Sequence, residues 1–432
     1  MKQIRKKDGS VKTLSNIYLI VLFAGYSFYT SVLSFAITDV SESRGLTLPY
    51  RIFEVLLMAI LLAFTMRKKS YVVTDSKVLW FFWLLILCRF FYDIFVANHL
   101  LPIGWKIDIF SYMVPMTILP MLVLQKVFKC INYNTVLFWV YGLLAVAVIM
   151  AFVNNPAMLY SSDVQLKASN SSGVIATGHM GLSVLILTFY IYRHYSLSKE
   201  VKYIMIPIVV LSLYVFLRSG SRGPILSALV VFVVALLSVS KNKLKSLMWL
   251  VAAFIFLYLL SDYILDWIES ISPVLVNRFE KKMDNGGQLN DRIDLYIWAW
   301  NEFKNHPLLG SAFGIYSYWF SDAGVSYSHN AFLDTLMQSG VIGGVVFIYL
   351  YIKAILAEIR LLVANHPVAW VGLIMIQMMA KVMVSSAFYL TPTISIGMII
   401  VFIADKQIRK KYEIRKNGCR YGILYNSNLQ TL

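Results

Sequence analysis

The chain is 432 residues long, 59% of them hydrophobic and only 14% charged, with a formal net charge of +17. Soluble domains carry about 25% charged residues, so these figures exclude a water-soluble globular protein. In a soluble chain such a basic excess would suggest nucleic acid, but here it follows the loops of a membrane protein, and nucleic-acid binding is set aside.

Apolar runs of about 20 residues can cross a hydrocarbon core of about 30 Å. Such runs occur near 16–37, 50–66, 78–97, 107–124, 135–153, 173–192, 201–217, 224–240, 247–265, 336–356, 368–390 and 393–404. The fourth contains Pro115 and Pro120, and the last is short. They predict an all-α polytopic integral membrane protein of about 12 transmembrane helices. The first run is too long for a signal-peptide core and has no small-residue cleavage site after it, so it is expected to remain as an anchor.

Lys and Arg divide unequally between alternate loops. The tail with Lys2 to Lys12, the segment 67–77, Lys126 and Lys129, the segment 193–202, the segment 241–245, Lys353 and Arg360, and the tail 406–420 hold 26 of the 39. The other loops hold 11, and Arg89 and Lys381 fall inside apolar runs. The positive-inside rule then places both termini in the cytoplasm. The expected organisation is a nine-span bundle over 1–265, a large external loop over 266–335, three more spans over 336–404 and a basic cytoplasmic tail over 405–432. Cys88 falls within a span, while Cys130 and Cys419 fall on the cytoplasmic side, so no pair is placed for an external disulfide.

Within the large loop, Asn290-Asp291 reads as a helix start, with acidic character at the positive end of the dipole. Ile293, Ile297 and Trp300 follow at helical spacing, and His306-Pro307 stops the helix. This pattern predicts an amphipathic helix on the outer membrane surface. The sequence shows neither an internal repeat nor the paired broken helices of inverted-repeat transporters.

Phosphate-loop, H-E-x-x-H and C-x-x-C motifs are missing. The informative residues are those that break the charge rule. Arg89 and Asp93, one turn apart inside the third run, read as an internal ion pair; Lys381 has no such partner in its own run and is a candidate substrate-facing cation. Arg218-Ser219-Gly220-Ser221-Arg222-Gly223-Pro224 lies in an external turn. Its glycines allow close backbone approach, and Pro224 suits the first position of a helix whose free N–H groups face outward. Two guanidinium groups at such an end make an anion site suited to phosphate or diphosphate; the alternative is that both arginines snorkel to lipid headgroups. The loop adds Arg278, Arg292, His306 and Ser328-His329-Asn330. His329, just before the tenth run, is placed for proton transfer near neutral pH, although a loop histidine is more often simply solvated. The histidines lack metal-ligand spacing, so no metal is expected.

These segments together resemble a known pattern. Asn290-Asp291-Arg292, Trp298 to Trp300, His306-Pro307-Leu308-Leu309-Gly310, Gly314, His329-Asn330-Ala331-Phe332-Leu333 and Gly340-Val341-Ile342-Gly343 are similar, in this order, to the signature region of the O-antigen ligase and polymerase superfamily. The Ser-Gly-Ser-Arg-Gly turn at 219–223 resembles its upstream motif. The resemblance implies glycosyl transfer at the external face of a bacterial inner membrane, without cofactor or metal. Its substrates would be undecaprenyl-diphosphate-linked glycans, as donor and acceptor, held in membrane lipid. By motif position Arg218 and Arg222 would bind the diphosphate leaving group, Arg292 would assist, and His329 would activate the acceptor hydroxyl. Ser221, Arg278, Asn330 and Lys381 complete the set expected to face the diphosphate or the glycan. A chain-length regulator and a flippase are the candidate protein partners. Repeat-unit polymerase is the expected branch, with O-antigen ligase its sibling and a lipid-linked oligosaccharide flippase the alternative from another class.

Overall fold

A computed structural model of the protein describes residues 2–33, 43–66, 70–97, 103–154, 173–240, 245, 248, 287–314 and 327–427. Among these residues every regular element is a helix. In chain order, α1 (Lys2–Ile20) passes through a π turn (Val21–Gly25) into α2 (Tyr26–Val32). Helices α3 (Ser43–Thr65) and α4 (Thr74–Phe95) follow, and α5 (Ile103–Met113) is joined by a second π turn (Val114–Ile118) to α6 (Leu119–Val127). Then come α7 (Tyr133–Val153), α8 (Val174–His194), α9 (Lys199–Arg218) and α10 (Arg222–Val239). The last four are α11 (Gly287–Asn305), α12 (Ala331–Val363), α13 (Ala369–Val382) and α14 (Pro392–Ser427).

Among the described residues, 9 helical stretches are long and apolar enough to cross a membrane. They coincide with the first eight expected runs and the tenth. The ninth expected run, 247–265, falls outside the described residues apart from Met248, and Arg278 falls outside them altogether. Where one unbroken span was expected at 368–390, α13 ends after 14 residues and the chain turns through 383–391 before α14 begins. The side chains of Ser385 and Thr391 bond back to the carbonyls of Lys381 and Ala387, satisfying part of this irregular backbone. Non-helical backbone at membrane depth needs such satisfaction or a cavity to line. The last expected run becomes the opening of α14, which continues without a break into the basic tail.

The outward faces are apolar: Leu56, Trp139 and Ile206 are all exposed, as lipid-facing side chains are. Since lipid tails are as apolar as leucine, helices here are held by close packing and interhelical hydrogen bonds. Gly181 on α8 lets α9 approach so closely that a Cβ there would sit 2.8 Å from the Ser212 carbonyl oxygen. The buried indoles of Trp83 and Trp370 each donate across the bundle, to Ser395 Oγ at 3.0 Å and to the Tyr133 carbonyl at 3.2 Å. At the ends of α12 and α4, Asp405 of α14 takes Arg360 at 2.6 Å and Arg409 at 2.9 Å, and Arg409 also reaches Asp75 at 3.3 Å.

Helix α11 begins at Gly287, three residues before the expected Asn290-Asp291 start, and ends just before His306. Two of its faces are apolar. Leu295 and Ala299 are buried against Met337 of α12, whereas Ile293, Ile297 and Trp300 are exposed.

Candidate active site

The 383–386 turn after α13 is where the separated motifs meet. The Lys381 carbonyl shapes the turn by accepting from Val384 N at 3.1 Å, Ser385 N at 3.0 Å and Ser385 Oγ at 3.0 Å. From α11, Arg292 donates an Nη1 hydrogen bond to the Val384 carbonyl at 2.8 Å. His329 hydrogen-bonds the Ser385 backbone. From α10, Gly223 lies against the same residues: a Cβ there would be 3.4 Å from Ser385 Oγ and 3.8 Å from Val384 Cγ2. The segments that carry Arg222, Arg292, His329 and Lys381 therefore meet at residues 381–385.

The arginine turn is built to fit tightly. Arg218 closes α9 and is buried, Gly220 takes φ of 57°, and Ser221 is the residue before α10, with φ −104° and ψ 127°. Arg222, not Pro224, is the first helical residue; Pro224 is tolerated because the first four helical N–H groups have no intrahelical acceptor in any case. The turn presses on α8, where a Cβ on Gly178 would come within 2.5 Å of Ser219 Oγ. Arg222 is half-buried. The start of an 18-residue helix with a guanidinium on its first residue is an electropositive end, suited to an anion.

His329 occupies a strained position. Its φ is 62°, in the left-handed region that a side chain with a Cβ seldom adopts. The neighbours hold it there. Ser328 N donates to Asp334 Oδ1 at 2.7 Å, Ser328 Oγ donates to the Asn330 carbonyl at 3.0 Å, and Asn330 N donates to Ser328 Oγ at 3.2 Å. Asn330 caps α12, its Oδ1 accepting from Phe332 N at 3.0 Å and Leu333 N at 3.1 Å. The sequence suggested a substrate contact for Asn330; its carbonyl oxygen is already engaged as the cap. The Tyr327 ring packs edge-on against the His329 ring, centroids 4.7 Å apart.

Burial and then the Arg292 charge hold the His329 imidazole below the ordinary histidine pKa, with the hydrogen bond to Ser385 opposing them. The ring is therefore neutral at neutral pH. Its Nδ1 is buried and has no hydrogen-bond partner among the described residues, so the ring keeps an unspent nitrogen. Buried polar atoms are nearly always paired, and an exception at a strained residue asks for a reason.

The Arg89–Asp93 pair is present, at 3.1 Å, and does more than neutralise itself. Arg89 also donates to the carbonyls of Gln338 and Ser311, each at 3.2 Å, of Leu309 at 3.3 Å, and of Gly310. Asp93 Oδ2 accepts from Phe313 N at 2.5 Å. This knot binds the His306–Gly310 segment to a kink in α12, where Gly340 has φ of 60° and Val341 N donates to the Pro307 carbonyl at 2.7 Å. His306 itself is exposed.

Sequence reasoning missed the backbone of Val384 and Ser385, which carries no side-chain signal. It also missed Glu54 and His179, whose signal was available: a lone carboxylate and a lone imidazole within apolar runs.

Residues 207–348 match the family model described as O-antigen ligase. The matched stretch runs from within α9 to within α12, taking in Arg218, Ser221, Arg222, Arg292, His329 and Asn330 and leaving out Lys381 and the 383–386 turn. No curated protein matches the chain.

Proposed function

We propose that this multi-pass membrane protein, whose 207–348 segment matches the family model described as O-antigen ligase, is the polymerase that joins polyprenyl-diphosphate-linked repeat units. The observation that carries the chemistry is the convergence on residues 384–385 of Arg292, His329 and the Arg222-Gly223 start of α10. The choice of polymerase over ligase follows the more numerous and diverse branch of the superfamily.

The acceptor hydroxyl oxygen attacks the anomeric carbon of the donor glycan as its proton passes to the neutral His329 ring. The bond from that carbon to the diphosphate oxygen breaks, and the electron pair leaves with the diphosphate. Arg218, Arg222 and Arg292 supply fixed positive charge where negative charge develops, which lowers the barrier without reorganisation. Arginine suits this task because its planar fork holds two phosphate oxygens at once. The catalytic groups face the exterior under the charge pattern of the loops.

A deletion strain whose surface glycan is separated on a gel tests this reading. Single repeats capped on the final acceptor are the expected result. Full-length glycan stranded on carrier lipid would identify a ligase, and lipid-linked repeats trapped on the cytoplasmic face would identify a flippase.

A further inference from the structure

A cavity of about 330 Å³, apolar over most of its wall, lies inside the bundle between α2, α3, α7, α8, α13 and the start of α14. That is the lower end of the range small-molecule sites occupy, roughly 300–1,000 Å³. Lys381 joins it to the candidate active site: its side chain lines the cavity while its carbonyl shapes the 383–386 turn.

The walls hold polar groups that the protein matches only in part. Glu54 on α3 is only 7% exposed; the charge of Arg51 one turn away acts on it, but its carboxylate accepts no hydrogen bond among the described residues. The Lys381 ammonium likewise has no partner there. Gln377 Nε2 lies 3.3 Å from His179 Nδ1, which fixes that nitrogen as the acceptor and leaves Nε2 as a buried donor without a partner. A buried charge in a membrane protein is costly unless something in the cavity meets it.

The backbone is also irregular at this place. Both π turns among the described residues border the cavity, the first through Leu22 and Phe23 and the second through Met116. Tyr50 Oη donates to the Val21 carbonyl in the first π turn at 2.8 Å, and a Cβ on Gly25 would collide with that hydroxyl. Such turns are rare and concentrate at functional sites. Part of the remaining wall is aromatic, with Tyr26 and Tyr50 rings 5.7 Å apart and Arg51 seated over the Tyr112 ring at 4.9 Å, and the rest is aliphatic.

We propose that this cavity is a sugar subsite, holding one ring of the lipid-linked glycan, with Glu54 accepting from and Lys381 and His179 donating to its hydroxyls. Aromatic faces cover the apolar side of such a ring, and the donors and acceptors left over match its alternating hydroxyls. A cation path fits poorly, because Glu54 is the one carboxylate in the lining and Arg51 and Lys381 flank it. This inference rests on the glycan-transfer reading above and extends it to substrate selection.

The test uses the repeat oligosaccharide released from its lipid carrier by mild acid, and therefore free of diphosphate. It is titrated calorimetrically into the purified full-length protein in nanodiscs. Wild type and His306→Ala are expected to bind alike, since that exposed side chain lies outside the cavity. Glu54→Gln and Lys381→Met are expected to weaken binding about tenfold or more, and Met378→Trp, which fills the cavity without altering its charges, to abolish it. Failure of wild type to bind, or equal binding by wild type, Glu54→Gln and Met378→Trp, overturns the subsite whatever the deletion strain shows. Binding lost in those variants, together with a flippase phenotype in the deletion strain, keeps the sugar subsite and removes the polymerase.

Discussion

Two histidine-containing segments lie 23 residues apart in the matched region, and the structure uses them in opposite ways. Around His306 the polar backbone is spent on architecture: Arg89 and Asp93 gather the carbonyls and N–H groups of 309–313, and the histidine points out of the knot. Around His329 the neighbours also spend their hydrogen bonds, but on holding a strained residue whose Nδ1 has no partner among the described residues. Membership in a recognisable motif therefore does not separate structural from chemical residues.

The largest effect should come from the arginine turn. Arg222→Ala is expected to abolish polymer formation, and Arg222→Lys to restore little, because lysine supplies charge without the bidentate fork. Wild-type glycan from Arg222→Ala and Arg218→Ala, both expressed at normal level, would show that these arginines only anchor to headgroups. Next, His329→Ala should cost about 10²–10⁴-fold in turnover, the usual worth of a general base. His306→Ala, by contrast, should keep most activity. Equal losses in the two would erase the contrast between the segments.

The knot should fail differently. Arg89→Met strands the buried Asp93 carboxylate, which is expected to cost about 3–5 kcal/mol of stability. The loss should appear as a lower melting temperature in detergent before any effect on the chemical step of the surviving protein. Gly340→Ala should be milder, about 1–3 kcal/mol for a side chain forced into the left-handed region; its Cβ would also lie 2.3 Å from the Leu308 carbonyl carbon. Either variant melting like wild type would mean that the kink in α12 tolerates looser packing than the geometry implies.

Much of the bundle was legible in the sequence, for a simple reason. A helix that crosses lipid needs about 20 apolar residues in a row, so span positions are written in composition alone. The break in the eleventh run was not legible, because it depends on backbone atoms of 381–391 and on Ser385 and Thr391 bonding to carbonyls. The π turns were equally silent: Val21–Gly25 is uniformly apolar or small, and only Pro115 hinted at the second. For the site, Arg222, Arg292 and His329 could be named from charge and order along the chain. That their segments meet at Val384 and Ser385 is tertiary information with no periodic trace. Glu54 lay inside a recognised run and was readable as a buried charge, yet its meaning came only with the cavity it faces.

The base assignment can be measured directly from the pH dependence of turnover by purified protein on lipid-linked repeats, wild type against His329→Gln. Burial and Arg292 lower the His329 pKa, and the proposed base is the neutral ring. The wild-type rate should therefore rise along a limb centred below the ordinary histidine value of about 6.5 and be level by neutral pH. In His329→Gln that limb should vanish and the plateau should fall about 10²-fold or more. Substantial turnover by His329→Gln at neutral pH, with the same limb, would contradict a base at this position and leave His329 a structural residue beside the arginine site.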